Sequence, residues 1–216
     1  MPRKRPPPTE DSQQVRDLLR RYACPVPYHE VRTRFLGNIA TPKLSASPLN
    51  VVKELWGGAF PEVESIEELN RLIDTLIAGL WNALPIHQKR SQPFRLVKLP
   101  LEPSVANLAR LALTRRQELD VFVEGLFDGA EAIDLPERAN AALGALAEMR
   151  AIMGGAHDLA TRTFEPADRA QIRETFRHLR ELTRVIEKEI HTVVLDCTRA
   201  RRQMLRDAPP RRPTFH

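Results

Sequence analysis

Apolar residues recur at helical spacing along nearly the whole chain, and this feature restricts the fold more than any other. Steps of four and three residues from Ile172 lead through an almost unbroken apolar row to Met204. Such a row lies on one face of an α-helix, whereas a half-buried strand alternates strictly. The sequence has no long alternating run and no Asn-Gly or Asp-Gly hairpin pair. It therefore predicts an all-α helical bundle with a long C-terminal amphipathic helix.

Capping residues, prolines and glycines divide this pattern into separate helices. Ser65 followed by Glu68 is a capping box and gives the clearest start signal, and Pro42 is expected to end an earlier helix. The predicted helices cover about 9–22, 28–40, 48–56, 65–84, 104–128, 136–153 and 166–206. Residues 85–103 contain four prolines and are predicted to form a loop. Gly154-Gly155 is predicted to end a helix, and 154–166 is the best candidate for a hinge.

These boundaries suggest four parts. We expect a flexible basic, proline-rich tail at 1–8, a helical bundle at 9–160, a long C-terminal helix at 161–207 and a disordered basic tail at 208–216.

The long helix is the first candidate for an interaction surface. Its apolar seam is narrow and is sustained over more than four heptads, as in a coiled coil, and includes Phe176, Leu179, Ile186, Ile190 and Val193. Helices packed within one bundle show the same pattern. The seam therefore predicts either self-association or docking of a protein partner, or packing on the chain's own domain.

Positive charge is concentrated at the two ends of the chain. The three basic residues at the start carry a charge of +3, and the six arginines after residue 198, with Asp207 among them, carry +5. These two ends together exceed the net charge of +5 of the whole chain, so the region between them is mildly acidic. A domain-wide nucleic-acid surface is therefore not expected. Arg199, Arg201, Arg202 and Arg206 could contact phosphate or an acidic protein, or could simply be a solvated helix end favoured by the helix dipole.

No catalytic, cofactor or metal site is evident. The two cysteines and six histidines form no recognisable ligand set, and no glycine pattern typical of nucleotide binding occurs. We therefore expect no enzymatic activity and no cofactor. No apolar stretch is long enough to span a bilayer, and two single thiols suit a reducing cytoplasm, so we predict a cytoplasmic protein without a membrane partner.

Two glycine motifs stand out. Leu55-Trp56-Gly57-Gly58 closes a short helix, and Trp56 is expected to be structural. Gly125 and Gly129 lie four residues apart, which on a helix places both on one face and favours close packing of a neighbouring helix over ligand binding.

These motifs, with Ile39-Ala-Thr-Pro42 before them and Pro93-Phe94 between them, resemble the YecA/YgfB-like family of uncharacterised bacterial proteins over roughly residues 28–150. The resemblance implies an all-α fold with no established activity, and a regulatory or adaptor role. Some family members end in a cysteine-rich zinc module, whereas this chain ends in a basic helix, so metal binding is not implied. We expect a non-enzymatic binding protein acting through helix–helix contacts, or alternatively a nucleic-acid- or ribosome-associated factor using its basic ends.

Overall fold

The computed structural model describes residues 12–44, 46–162 and 168–207, and within them the predicted all-α fold is confirmed, since they contain no strand. The predicted tails at 1–8 and 208–216 lie outside the described residues. The helices are α1 (Ser12–Arg21), α2 (Tyr28–Ala40), α3 (Pro48–Glu54), α4 (Ile66–Ile73), α5 (Val105–Phe127), α6 (Glu137–Arg162) and α7 (Arg169–Asp207). A π-helical segment, Asp74–Trp81, continues α4, and a 3₁₀ helix spans Leu84–Gln88.

The closest contact between helices joins α2 to α5. A Cβ atom placed on Gly37 would lie 2.2 Å from the carbonyl oxygen of Phe122, and one on Gly125 would lie 2.2 Å from that of Arg34. The two backbones can touch here only because both positions lack a side chain. The predicted packing role of Gly125 is therefore confirmed. Gly129 does not share it, because α5 ends at Phe127 and Gly129 follows in a left-handed turn with a φ of +72°.

Helices α5, α6 and α7 complete the bundle around a single apolar core. His157 in α6 lies beside Ala109 in α5, and Arg150 lies beside Asp120, so α5 and α6 run antiparallel. The fully buried phenylalanines of the core are Phe35, Phe94, Phe122 and Phe176. Phe176 belongs to α7, so the predicted long C-terminal helix packs into the same apolar core as the predicted bundle at 9–160. The long helix is part of the bundle.

The proline-rich segment after the 3₁₀ helix is extended and is held by buried charged groups. Glu118, which is fully buried, accepts the backbone N–H of Val97 at 3.2 Å and pairs with Arg115. Arg115 also donates to the carbonyl oxygen of Val97 at 2.8 Å. One residue earlier, the N–H of Leu96 donates to Glu187 at 2.9 Å. These bonds replace the partners that a helix or sheet would supply, as buried backbone requires.

The end of α6 and the start of the predicted loop at 85–103 differ from the prediction. Gly154 and Gly155 do not end α6, which continues to Arg162. Ala156 and Ala160 pack against the core there, and these contacts outweigh the low helix propensity of glycine. The hinge expected at 154–166 is therefore helical as far as Arg162, and residues 163–167 lie outside the described residues. The predicted loop at 85–103 begins with part of the 3₁₀ helix, where Leu84 is fully buried and anchors the turn.

Candidate functional site

The apolar seam of α7 is covered by the chain's own helices. Its predicted interaction residues are at most 5% exposed and pack in the core: Phe176, Leu179, Ile186, Ile190 and Val193. A partner could reach them only if the bundle opened. The expectation that these side chains form a docking surface is therefore wrong, and packing on the chain's own domain accounts for the seam.

The four arginines predicted at the basic end of α7 have different surroundings. Arg201 is partly buried and donates to the carbonyl oxygen of Thr41 at 3.3 Å, which ties α7 to the end of α2. Burial lowers the pKa of Arg201, and the neighbouring positive charge of Arg202 adds to the effect. Arg199 is exposed and lies 3.4 Å from Asp196. Arg202 and Arg206 are exposed and take part in no ion pair within the described part of the chain.

Three of these arginines line a groove with residues from a distant part of the sequence. The groove encloses about 280 Å³, and we call it the arginine groove; its lining comprises Gln88, Arg90, Leu195, Thr198, Arg199, Arg202, Gln203 and Arg206. The lining includes no carboxylate. Four guanidinium groups and two amides therefore face one concave surface, a combination that provides many hydrogen-bond donors and a local positive potential.

The 3₁₀ helix positions the half of the groove that sequence reasoning missed. Buried Leu84 fixes its start, and the turn after it is closed by a hydrogen bond from the N–H of Gln92 to the carbonyl oxygen of Lys89. His87 Nδ1 lies 2.9 Å from the carbonyl oxygen of Gln92 and holds the same turn. Arg90 is thereby placed opposite α7. Nothing in the local sequence around Arg90 signals this role, because it depends on a contact between residues about a hundred positions apart.

Buried polar groups of α7 line the arginine groove or lie next to its lining residues in the sequence. Thr198 is 2% exposed, and its hydroxyl has no hydrogen-bond partner among the described residues. Asp196 is 7% exposed and lies between Arg199 and, at 3.6 Å, Arg138 of α6. Burial, with the charge of Asp196 adding to it, raises the pKa of the adjacent Cys197 thiol to about 12. Cys197 therefore stays protonated at neutral pH and behaves as a packing residue.

The residues of the glycine motifs lie elsewhere, around α2, α3 and the end of α5. Pro42 is buried directly after α2, and Gly57 and Gly58 adopt positive φ angles in the turn after α3. The Trp56 indole N–H donates to the carbonyl oxygen of Tyr22 at 3.0 Å, so Trp56 ties α3 to the end of α1.

An open groove of about 860 Å³ runs past Gly58, Gly125 and Gly129. Its charged lining is mixed, and Arg34 and Glu124 within it pair with each other. This groove therefore presents no excess of one charge comparable to the arginine groove.

The described residues contain neither a cluster of metal ligands nor a membrane-spanning helix. No cluster of three or more histidine, cysteine or acidic side chains there is arranged to hold a metal ion. None of the helices in residues 12–44, 46–162 and 168–207 is long and apolar enough to cross a membrane.

No protein-family model, curated protein or solved structure matches this chain. The resemblance to YecA/YgfB-like proteins therefore stays a prediction.

Proposed function

We propose that this chain is a non-enzymatic adaptor or regulatory protein that binds an anionic partner through the arginine groove. The observation that carries the proposal is the convergence of Arg90, Arg199, Arg202 and Arg206 on a surface whose lining includes no acidic side chain. Guanidinium groups bind phosphate and carboxylate oxygens with paired hydrogen bonds, so an oxyanion suits this surface better than an apolar or cationic ligand.

The exposure of these arginines sets the kind of ligand. A single exposed ion pair contributes only about 0.2–1 kcal/mol, so one small anion would bind weakly here. A ligand that carries several anionic groups contacts several arginines at once, and each further contact is favoured by the effective concentration that the first creates. The proposed partner is therefore a polyanion.

Thermal unfolding in the presence of inorganic polyphosphate tests the proposal. A ligand that binds only the folded chain stabilises it by about 2.7 kcal/mol at a hundred times its Kd, so the melting temperature should rise with polyphosphate concentration. Arg90→Glu should abolish most of this rise, since Arg90 is exposed and its substitution leaves the core intact. Arg184→Glu is the matched control, because it makes the same charge change at an exposed position of α7 that does not line the groove.

A rise in melting temperature that is equal in wild type, Arg90→Glu and Arg184→Glu would show that polyphosphate binds elsewhere. The absence of any rise would refute the arginine groove as a binding site for polyanions. It would favour helix–helix contacts through α6, where Ile152 is 53% exposed and Leu159 is 70% exposed on the same face.

A further inference from the structure

One hydroxyl group in the lining of the arginine groove lacks the partner that the other threonines of α7 have. The side chains of Thr175, Thr183 and Thr192 each donate to the backbone carbonyl oxygen four residues earlier, at 2.9, 2.8 and 3.1 Å. Thr198 is 2% exposed and makes no such bond, and its hydroxyl has no hydrogen-bond partner among the described residues. Because buried polar groups are normally paired, the acceptor for this hydroxyl is expected to come from a bound group.

Thr198 lies on the face of α7 that lines the arginine groove. Leu195, Arg202 and Arg206 share this face, at spacings of three and four residues that place side chains on one side of a helix. Arg90, from the turn after the 3₁₀ helix, lines the groove as well. Arg202 and Arg206 are exposed, so their long side chains can reorient as a ligand reaches Thr198.

The nearby acidic side chains do not belong to the described lining of the arginine groove. Asp196 lines a neighbouring groove, together with Glu137 at the start of α6. Asp207 accepts hydrogen bonds from Gln203 at 3.0 and 3.1 Å and does not line the arginine groove either. An anion in the arginine groove therefore faces guanidinium groups, although Asp196 offsets part of the charge of Arg199.

The donors of the groove suit a phosphate group better than a carboxylate. A carboxylate offers two acceptor oxygens, whereas a terminal phosphate offers three and carries a charge of about −1.5 to −2 at pH 7. Three oxygens can accept hydrogen bonds from several guanidinium groups and from the Thr198 hydroxyl at once. The volume of about 280 Å³ is just below the range of about 300–1,000 Å³ that is typical for drug-sized ligands, so the groove suits a compact group.

From these features we propose that the arginine groove binds a diphosphate group, with an oxygen of the terminal phosphate accepting the hydrogen bond of the Thr198 hydroxyl. This inference rests on the proposed function, because a diphosphate is a compact form of the proposed polyanion. Two linked phosphates supply the several anionic groups that exposed arginines need. Free pyrophosphate, nucleotides and longer phosphate chains all carry this group. The described lining includes no aromatic side chain on which a base could stack, so the groove should recognise the phosphates alone.

Isothermal titration calorimetry of the full-length chain with inorganic pyrophosphate tests this inference, and citrate serves as a compact polycarboxylate of similar charge. Wild type should bind pyrophosphate at least about tenfold more tightly than citrate. Thr198→Val keeps the shape of the side chain and removes the hydroxyl, so it should bind pyrophosphate roughly ten- to a hundredfold more weakly. Thr198→Ser retains a hydroxyl and should bind nearly as wild type does. Thr192→Val, the matched control, makes the same change on α7 outside the groove and should leave binding unchanged.

The melting temperature without ligand separates a binding role of Thr198 from a structural one. An unpartnered buried hydroxyl destabilises the fold, so Thr198→Val should melt at the same temperature as wild type or at a higher one. A lower melting temperature, or a failure to fold, would show that the hydroxyl has a partner within the fold and would overturn the inference.

The remaining outcomes separate this inference from the proposed function. Pyrophosphate binding that is unchanged in Thr198→Val, or equal affinity for pyrophosphate and citrate, overturns the inference and leaves the proposed function standing. ADP should bind no more tightly than pyrophosphate, and a large preference for ADP would overturn recognition of the phosphates alone. If longer polyphosphate binds through Arg90 and pyrophosphate does not, only this inference fails. If neither of them binds, both proposals fail.

Discussion

Replacing Gly125 by alanine tests whether the contact between α2 and α5 is as close as the structure shows. The new Cβ atom would lie 2.2 Å from the Arg34 carbonyl oxygen and 3.1 Å from the backbone N of Asn38, whereas ordinary contacts begin at 3.4 Å. Both neighbours are backbone atoms, so the two helices must separate by roughly 1 Å, and the overpacking costs about 1–3 kcal/mol or more. Alanine also favours the helix by about 1 kcal/mol, which offsets part of this cost.

We expect a net loss of about 1–2 kcal/mol after this offset, because the strain falls on rigid backbone in the core and its cost lies in the upper part of the range. In a chain of this size, such a loss lowers the melting temperature by roughly 2–8 °C. Differential scanning calorimetry measures it directly. Gly144→Ala is the control, since Gly144 lies within α6 with nothing within 4 Å of the added methyl group, and this change should raise stability by up to about 1 kcal/mol.

Gly37→Ala should destabilise similarly, because its Cβ meets the Phe122 carbonyl oxygen. One displacement of the helices relieves both clashes, so the double variant should lose less than the sum of the single losses. A melting temperature that is unchanged or raised in Gly125→Ala would refute this account of the α2–α5 contact.

Two further predictions concern the core and the partly buried histidines His29 and His191. Ile190→Glu should unfold the chain rather than convert a dimer into a folded monomer, because Ile190 is fully buried and an unpaired buried charge costs several kcal/mol. Circular dichroism measures the helix content of the variant, and light scattering measures its mass. A variant that is folded and monomeric beside a dimeric wild type would show that the seam joins two chains. Burial lowers the pKa of both His29 and His191 below 6.5, so the unfolded chain takes up protons more readily than the folded chain, and stability should fall as pH drops through about 6.5. Denaturant titrations between pH 7.5 and 5.5 measure this fall in stability, and the His29→Gln variant should lose less stability over that interval than wild type. Equal losses in the two proteins would contradict the role of His29 in the pH dependence.

Helix positions were predictable because each helix carries its own local signals. The range of α2 matches the prediction at both ends, and Ser65 accepts the N–H of Glu68 at 3.2 Å as the capping box requires. The reciprocal bond differs: the Glu68 carboxylate accepts the N–H of Glu64 rather than that of Ser65. The continuation of α6 through Gly154 was not predictable, because neighbouring helices determine it and local propensity does not. Periodicity likewise could not decide whether the α7 seam meets a helix of the same chain or of another.

The apolar row of the α7 seam continues beyond the part of α7 that the core buries. The apolar row from Ile172 to Met204 keeps its spacing throughout, yet it is buried only as far as Cys197; Met204 is 43% exposed and the adjacent Leu205 is 57% exposed. The row is thus about two turns longer than the core that covers it. Arginines are concentrated in these same last turns. Most of the stability of a helix in a protein comes from tertiary packing, so packing alone does not explain why α7 continues past its last buried residue. Exposed apolar side chains and arginines without an ion pair therefore coincide at the end of α7, and this coincidence supports the proposal that a partner binds there and not at the buried seam.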